Sequence, residues 1–219
     1  MKFILRHSLA CLLLGSALLG CTTADPLAYS QLTSVSYLQP NPTDPSGRVP
    51  YRYAGNANWK FYDKAIIDPV TVYRGPDNQF IDVSEPEKAE LAAYMRERFA
   101  QTLASRFRLV NTRMPGTVRI HLTLTGAKKT TPVLGPFSHI DIGGGAYNAV
   151  QAARGKEGSL TGSVSYAVEI YDAADNRLLS AFVAKQYPGA MNVGASFGAF
   201  KASKVAIDKG ADDLLVQFR

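Results

Sequence analysis

Few side chains in this sequence have the spacing that acid–base or metal chemistry requires. His121 lies in a run from 117 to 125 in which apolar and polar residues alternate, so it falls on the polar face of a predicted strand. This position is more typical of an ordinary surface histidine than of a catalytic base. His139 and Asp141 would share one face of a strand, but two such ligands fall short of the three or four that hold zinc. We therefore expect neither a metal site nor a cofactor.

Two carboxylates, Asp63 and Asp68, have the chemistry of the paired acids in glycan hydrolases. Five residues apart on one strand they would face opposite sides, unless a bulge at Pro69 resets the register. The glycine run 143–145 could cradle an anion at a helix start, but its spacing matches neither a Walker loop nor a dinucleotide fingerprint. The chain is therefore expected not to be an enzyme, with a glycan-acting enzyme kept as an alternative.

The amino-terminal residues combine a short basic segment with an apolar run. Lys2 and Arg6 precede an apolar run from Leu9 to Leu19, which is the pattern of a secretory signal peptide. The run is shorter than the ~20 residues of a membrane-spanning helix. It therefore predicts export and not a transmembrane anchor.

The sequence Leu18-Leu19-Gly20-Cys21 at the end of this run resembles the lipobox of bacterial lipoproteins. The resemblance implies cleavage between Gly20 and Cys21, a thioether-linked lipid on Cys21 and acylation, as with palmitate, of the new amino terminus. An ordinary signal peptide with an incidental cysteine is the alternative. Thr22 occupies the position where aspartate often signals inner-membrane retention in such lipoproteins. The resemblance thus implies an outer-membrane lipoprotein that faces the periplasm.

Composition limits the cysteine chemistry that the processed chain can perform and the classes of partner that it can bind. Cys11 would leave with the signal peptide and Cys21 would carry lipid, so the processed chain would hold no disulfide and no thiolate nucleophile. Removal of Lys2 and Arg6 lowers the formal charge from +6 to +4. Because no run of five basic residues is present, we expect no binding to nucleic acid.

The chain divides into three predicted parts. Residues 1–20 form the signal peptide, residues 21–58 form the lipidated cysteine and a tether, and residues 59–219 form a single domain. The segment 40–47 is rich in proline, glycine and polar turn residues. The tether also holds aromatic residues, which predict that part of it lies on the domain: Tyr29, Tyr37, Tyr51 and Tyr53.

Periodicity predicts the elements of the domain. Ser84 and Glu87 have the spacing of a capping box, which would begin a helix that continues to Phe107. A second helix is predicted over 196–216. Alternation predicts strands over 117–125 and 163–171, and further strands are expected near 60–73, 108–111 and 178–187. The order β-α-β-β-β-β-α indicates an α+β fold: a mainly antiparallel sheet of four to five strands, with two amphipathic helices on one face and the other face open.

Two sequence blocks resemble a known family. Tyr62-Asp63-Lys64 followed by Ile67-Asp68-Pro69-Val70 is similar to a block of the uncharacterised bacterial lipoproteins of domain of unknown function 3313. Tyr29-Ser30-Gln31-Leu32 resembles the lead-in of the same family. The resemblance covers residues 29–217 and implies a periplasm-facing envelope lipoprotein, but it implies no activity.

The connection 126–158 between two well-patterned strands is longer than the ~12–15 residues usual in compact domains. We predict that it forms a contact surface for another envelope protein or for anionic headgroups, through Lys128, Lys129, Phe137, His139, Arg154 and Lys156. A tolerated insertion is the alternative.

The predicted function is a lipid-anchored interaction or scaffold module. A carrier of an amphiphilic ligand, bound between sheet and helices, is the second hypothesis.

Overall fold

A mixed β-sheet organises the chain in the computed structural model, which describes residues 26–130, 162–188 and 199–219. Within these ranges there are two α-helices, α1 (Glu85–Leu103) and α2 (Lys201–Val216), and a short 3₁₀ helix, Trp59–Phe61. The strands are β1 (Gln39–Pro40), β2 (Tyr51–Ala54), β3 (Lys64–Ile67), β4 (Thr71–Val72), β5 (Gln79–Ile81), β6 (Arg108–Leu109), β7 (Thr117–Lys128), β8 (Ser163–Asp172) and β9 (Leu178–Gln186). In the described ranges, no helix is long and apolar enough to cross a membrane.

The three long strands form the centre of the sheet. β8 pairs antiparallel with both β7 and β9, and β2 and β1 extend the sheet antiparallel beyond β9. On the other side β3, β4 and β5 follow one another along β7, all parallel to it, and β6 lies parallel to β3. The main strand order is β1-β2-β9-β8-β7-β3-β6.

The α+β class is confirmed, but the predicted count of four to five strands is wrong. The described residues form nine strands in one mixed sheet. The single strand predicted near 60–73 is two strands, because Pro69 cannot donate to a ladder and lies at the break between them. Residues 39–54 of the predicted tether supply two further strands. The parallel pairs arise because α1 carries the chain back to the end of the sheet where β3 began.

Both helices pack on one face of the sheet. The capping box that begins α1 is confirmed: Ser84 donates its backbone N–H and its hydroxyl to the Glu87 carboxylate at 2.8 and 2.7 Å. The two helices are joined by Asp208 of α2, which accepts hydrogen bonds from Arg98 Nε at 2.7 Å and from the Tyr94 hydroxyl at 2.9 Å. The core between helices and sheet includes Leu91, Met95, Phe99, Leu103, Ile120, Leu122, Tyr166, Ile207, Leu214 and Phe218.

The opposite face of the sheet is not open, which corrects the prediction. Residues 26–38, which we call the arm, cover it with Tyr29, Leu32 and Leu38. The sheet residues beneath the arm are small or aliphatic: Ala167, Ala181 and Val183. Because the central strands β8 and β9 carry apolar side chains on both faces, both faces must be covered.

Candidate functional site

The arm is held on the sheet by hydrogen bonds from its backbone to carboxylates and a phenol. Ser34 N–H donates to Glu169 Oε1 at 2.7 Å, and Ser30 N–H donates to Asp77 Oδ2 at 2.8 Å. Gln31 N–H donates to the Tyr73 hydroxyl at 3.1 Å. Glu169 is only 3% exposed, and a charged acceptor strengthens such a bond beyond a neutral one. The arm is therefore an integral part of the fold.

Tyr29 fixes the beginning of the arm. Its hydroxyl donates to Gln79 Oε1 at 2.9 Å, and its ring packs edge-on against Tyr73 with centroids 5.3 Å apart. Burial raises the pKa of Tyr29 to about 12, although hydrogen bonds from Thr125, Ser165 and the backbone of Leu27 act in the opposite direction. The hydroxyl therefore stays protonated over the physiological pH range and acts as a structural donor.

A second polar group lies at the break between β3 and β4. Asp68 Oδ2 is 2.9 Å from Arg119 Nε and also contacts His121 Nε2, while the Asp68 backbone N–H donates to Ile120 O at 3.1 Å. His121 packs edge-on against Tyr171, whose pKa is raised by burial and by the neighbouring Glu169 carboxylate. The arrangement ties the irregular edge of the sheet to β7.

The two candidate carboxylates contact different cationic side chains. The Asp63 carboxylate accepts a hydrogen bond from Lys64 Nζ, which lowers the pKa of Asp63. Asp68 instead contacts Arg119 and His121. Each carboxylate thus has its own cationic partner.

The predicted contact surface is described only in part. Phe137, His139, Arg154 and Lys156 lie outside the described residues, as do the glycine run 143–145 and Asp141. The structure places Lys128 and Lys129 at the end of β7, where strand alternation sends their side chains in different directions.

Lys129 joins the end of β7 to both helices. Its Nζ is 2.9 Å from Glu87 Oε1 in the first turn of α1 and 5.6 Å from the centre of the Phe200 ring, directly before α2. Hydrogen bonding to Lys129, and then to the backbone and hydroxyl of Ser84, lowers the pKa of Glu87 to about 2. Lys129 is therefore paired with Glu87 within the fold.

Lys128 lies in a different environment. It lines a shallow depression on the arm face of the sheet, together with Gln79, Ile81, Ala127, Ser163, Ser165 and Lys185. We find no ion pair of Lys128 with any residue that the structure describes. In the same described part of the chain, no group of three histidine, cysteine or acidic side chains could hold a metal ion.

Comparison with known families identifies the chain. The family model for the protein of unknown function DUF3313 matches residues 28–214. The chain belongs to this family. The match begins inside the arm, so the DUF3313 region includes the segment that covers the second face of the sheet. The resemblance carried by the blocks at residues 29–32 and 62–70 is thereby confirmed.

Solved structures with a related outline are more distant. A PelC dodecamer from Paraburkholderia phytofirmans has 9% identity and a TM-score of 0.36, over 72% of this chain and 89% of that one. A DUF330 protein from Xanthomonas campestris has 8% identity and a TM-score of 0.35, over 74% and 88%. A hypothetical protein from Chlamydia trachomatis has 11% identity and a TM-score of 0.39, over 72% and 97%. TM-scores this low carry no functional argument. No curated protein matches the chain.

Sequence reasoning missed the groups that hold the arm. Glu169 is the informative example, since alternation over 163–171 places it on the outward face of the predicted strand, whereas the structure buries it. A buried carboxylate requires hydrogen-bond donors, and this requirement predicts a covering segment without identifying it. Asp77 and Gln79 lie in a turn-rich stretch that carries no such signal.

Proposed function

We propose that this protein is a lipid-anchored lipoprotein of the cell envelope that works as a non-enzymatic interaction module. The observation that carries the proposal is that both faces of the sheet are filled, by two helices on one side and by the arm on the other. A carrier of an amphiphilic ligand needs an apolar cavity, whereas Phe99, Tyr166 and Phe218 occupy the space between sheet and helices. In the described part of the chain, partners would therefore contact the outer surface.

Three exposed apolar side chains belong to elements at one end of the described fold, which we call the aromatic end. Phe61, which is 60% exposed, lies in the 3₁₀ helix, Leu109 lies on the edge strand β6, and Val216 lies in the last turn of α2. The Trp59 ring packs edge-on against Phe218 at 5.1 Å, so the 3₁₀ helix and the end of α2 adjoin. Exposed apolar surface of this kind is typical of protein–protein contact. We assign it to another envelope protein.

The anchor is tested by Cys21→Ser in the full chain. Because Cys21 would carry the lipid and lies outside the described fold, we expect loss of lipidation, accumulation of the unprocessed precursor and an unchanged fold. Incorporation of labelled palmitate is the measurement, and Thr22→Ser is the matched control. Labelling of Cys21→Ser at the wild-type level would refute the lipid anchor.

The interaction surface is tested by site-specific photocrosslinking in intact envelopes. A photoreactive amino acid at Phe61 is expected to give a discrete crosslinked product, and the same group at Glu97, on the exposed side of α1, is expected to give none. The partner is then identified from the purified product. Equal, diffuse crosslinking from both positions would show that the aromatic end makes no specific contact.

A further inference from the structure

The fold begins close to the proposed lipid anchor. Pro26 and Tyr29 are already buried, and only five residue steps separate Cys21 from Pro26. A chain reaches at most about 3.6 Å per residue, so the first buried residue lies within roughly 18 Å of the lipidated cysteine. If Cys21 carries lipid as proposed above, the membrane must lie close to the part of the domain where the arm begins.

The residues around the start of the arm have side chains suited to contact with a membrane surface. Leu27 is 44% exposed, and its backbone interacts with the hydroxyl of Tyr29, which donates to Gln79. Gln79 lines the same depression as Ile81, which is 43% exposed, and Lys128. Ile81 and Lys128 therefore line one depression, and Leu27 lies two residues before Tyr29, whose hydroxyl donates to Gln79 of the same depression. We call Leu27, Ile81 and Lys128 the anchor-side surface.

Within the described residues, the neighbouring charges form no ion pair with Lys128. The nearby Lys88 and Lys129 are paired with Glu85 and Glu87 at 2.7 and 2.9 Å. The Asp77 carboxylate accepts hydrogen bonds from Ser30 N–H and from the Tyr73 hydroxyl at 2.8 and 2.6 Å. Asp82, directly after Ile81, is exposed and opposes the attraction of an anion. Lys128 has no ion-pair partner among the described residues.

We propose that the anchor-side surface lies on the membrane, where Lys128 binds the phosphate of an anionic phospholipid and Leu27 and Ile81 enter the interfacial region. This inference rests on the lipid anchor proposed above. Lysine near an anionic membrane strengthens binding by roughly fivefold, and exposed aliphatic side chains add to it when they leave water. The short chain to Cys21 favours a membrane over a protein as the occupant, because the lipid holds this end of the domain at the bilayer.

The test uses the full, lipidated protein in vesicles of phosphatidylcholine with or without phosphatidylglycerol. Because Cys21 is modified, Ile81→Cys provides a single thiol for an environment-sensitive dye, and Glu97→Cys, on exposed α1, provides the control position. We expect a blue-shifted emission and quenching by lipid-borne quenchers at position 81, enhanced by phosphatidylglycerol, and aqueous emission at position 97. Identical aqueous emission at both positions would overturn the proposal.

Charge variants test the role of Lys128 separately. In the dye-labelled Ile81→Cys protein, Lys128→Gln is expected to remove most of the enhancement by phosphatidylglycerol. Asp82→Asn is expected to increase it, and asparagine tolerates the positive φ of 54° at this position. Lys60→Gln, at the aromatic end, is the matched control and should change nothing. An unchanged response in Lys128→Gln would refute headgroup binding by this residue.

Flotation with the vesicles separates this inference from the proposed function. A protein that does not float lacks its anchor, and both proposals then fail. A protein that floats with an aqueous dye at position 81 retains the anchor and overturns only the membrane contact. If the dye at position 81 is in an aqueous environment on vesicles, but the Ile81→Cys thiol is shielded from labelling in native envelopes, a protein partner occupies the surface instead of lipid.

Discussion

Gly210 allows α2 to pass directly over the hydroxyl of Tyr166 on β8. A Cβ built at residue 210 would lie 2.1 Å from the Tyr166 hydroxyl oxygen. Tyr166 is fully buried, burial raises its pKa, and its ring packs edge-on against Phe99 with centroids 5.8 Å apart. The side chain therefore has little room to give way, and the glycine sets the distance between helix and sheet.

Gly210→Ala is expected to lower the free energy of unfolding by ~1–3 kcal/mol through overpacking, although alanine favours a helix by about 1 kcal/mol over glycine. Chemical denaturation followed by Trp59 fluorescence is the measurement. The exposed residue Asp212 of the same helix provides the control Asp212→Ala, which should lie near wild type. A more stable Gly210→Ala protein would mean that the helix lies farther from β8 than described.

Glu87 is one of two glutamates in the first turn of α1 whose pKa is lowered in the folded state, the other being Glu85. Hydrogen bonding to Lys129, and then to Ser84, holds its pKa at about 2, below the ~4.3 of an unperturbed glutamate. A depressed pKa in the folded state means that the ionised form stabilises the fold. This contribution is complete above the unfolded pKa and is lost as the pH falls from about 4.3 towards 2.

Glu87→Gln is expected to reduce stability at neutral pH and to flatten its decline between about pH 4.3 and 2. Thermal unfolding over this pH range is the measurement. Glu97→Gln, on the exposed side of the same helix, is the control and should retain the wild-type slope. A wild-type slope in Glu87→Gln would assign the acid sensitivity to other carboxylates.

Among the elements, the arm depends most on a few polar contacts. It has no regular secondary structure before β1, and short turns such as Leu32 N–H to Tyr29 O at 3.1 Å shape its backbone. Its attachment relies on Tyr29 and Leu32 in the apolar cluster and on Glu169 beneath Ser34. Loss of one of these contacts should release the arm without unfolding the helices.

Glu169→Ala removes the acceptor of the Ser34 N–H, and a hydrogen bond to a charged group contributes ~1.5–3 kcal/mol. We expect faster hydrogen exchange across residues 26–38 and easier proteolysis there, with α1 still protected. Exchange measured by mass spectrometry provides the readout, and Glu97→Ala is the control. Equal acceleration in α1 would show that the arm and the helical layer unfold together.

Helix α1 depends instead on packing. Phe99 is completely buried against Tyr166, and Phe99→Ala is expected to destabilise the fold by ~3–5 kcal/mol because it leaves a cavity. The midpoint of urea unfolding is the measurement. Arg96→Ala, at an exposed position of α1, should have a small effect. An unchanged midpoint in Phe99→Ala would mean that the apolar face of the helix is assigned wrongly.

At the scale of the whole molecule, the sequence predicted the elements that are long enough to show a period. The capping box at Ser84 and Glu87 located α1, alternation located β7 and β8, and β9 was expected as the hairpin partner of β8. Strands of two to four residues, such as β1 and β2 in the predicted tether, are too short for any period. They exist because a neighbouring strand offers hydrogen bonds.

The candidate site was less predictable for a related reason. Thr123, Thr125 and Glu169 have the composition of a solvent-facing row, yet all three are buried. Their burial follows from the arm, which is distant in sequence and has no pattern that identifies where it docks. The side of the sheet on which Lys128 and Ile81 meet also depends on pairing between β5 and β7, which single-residue propensities do not specify.

If the chain is exported as proposed above, the docking of the arm fixes an order of events during export. Ser34 and its acceptor Glu169 are 135 residues apart, so the arm can fold only after β8 has crossed the membrane. On a chain that is translocated from its amino terminus, the arm emerges before the strands of the sheet on which it docks. Cys21 would thus be accessible to the enzymes of the proposed lipidation pathway before the arm can dock on the sheet.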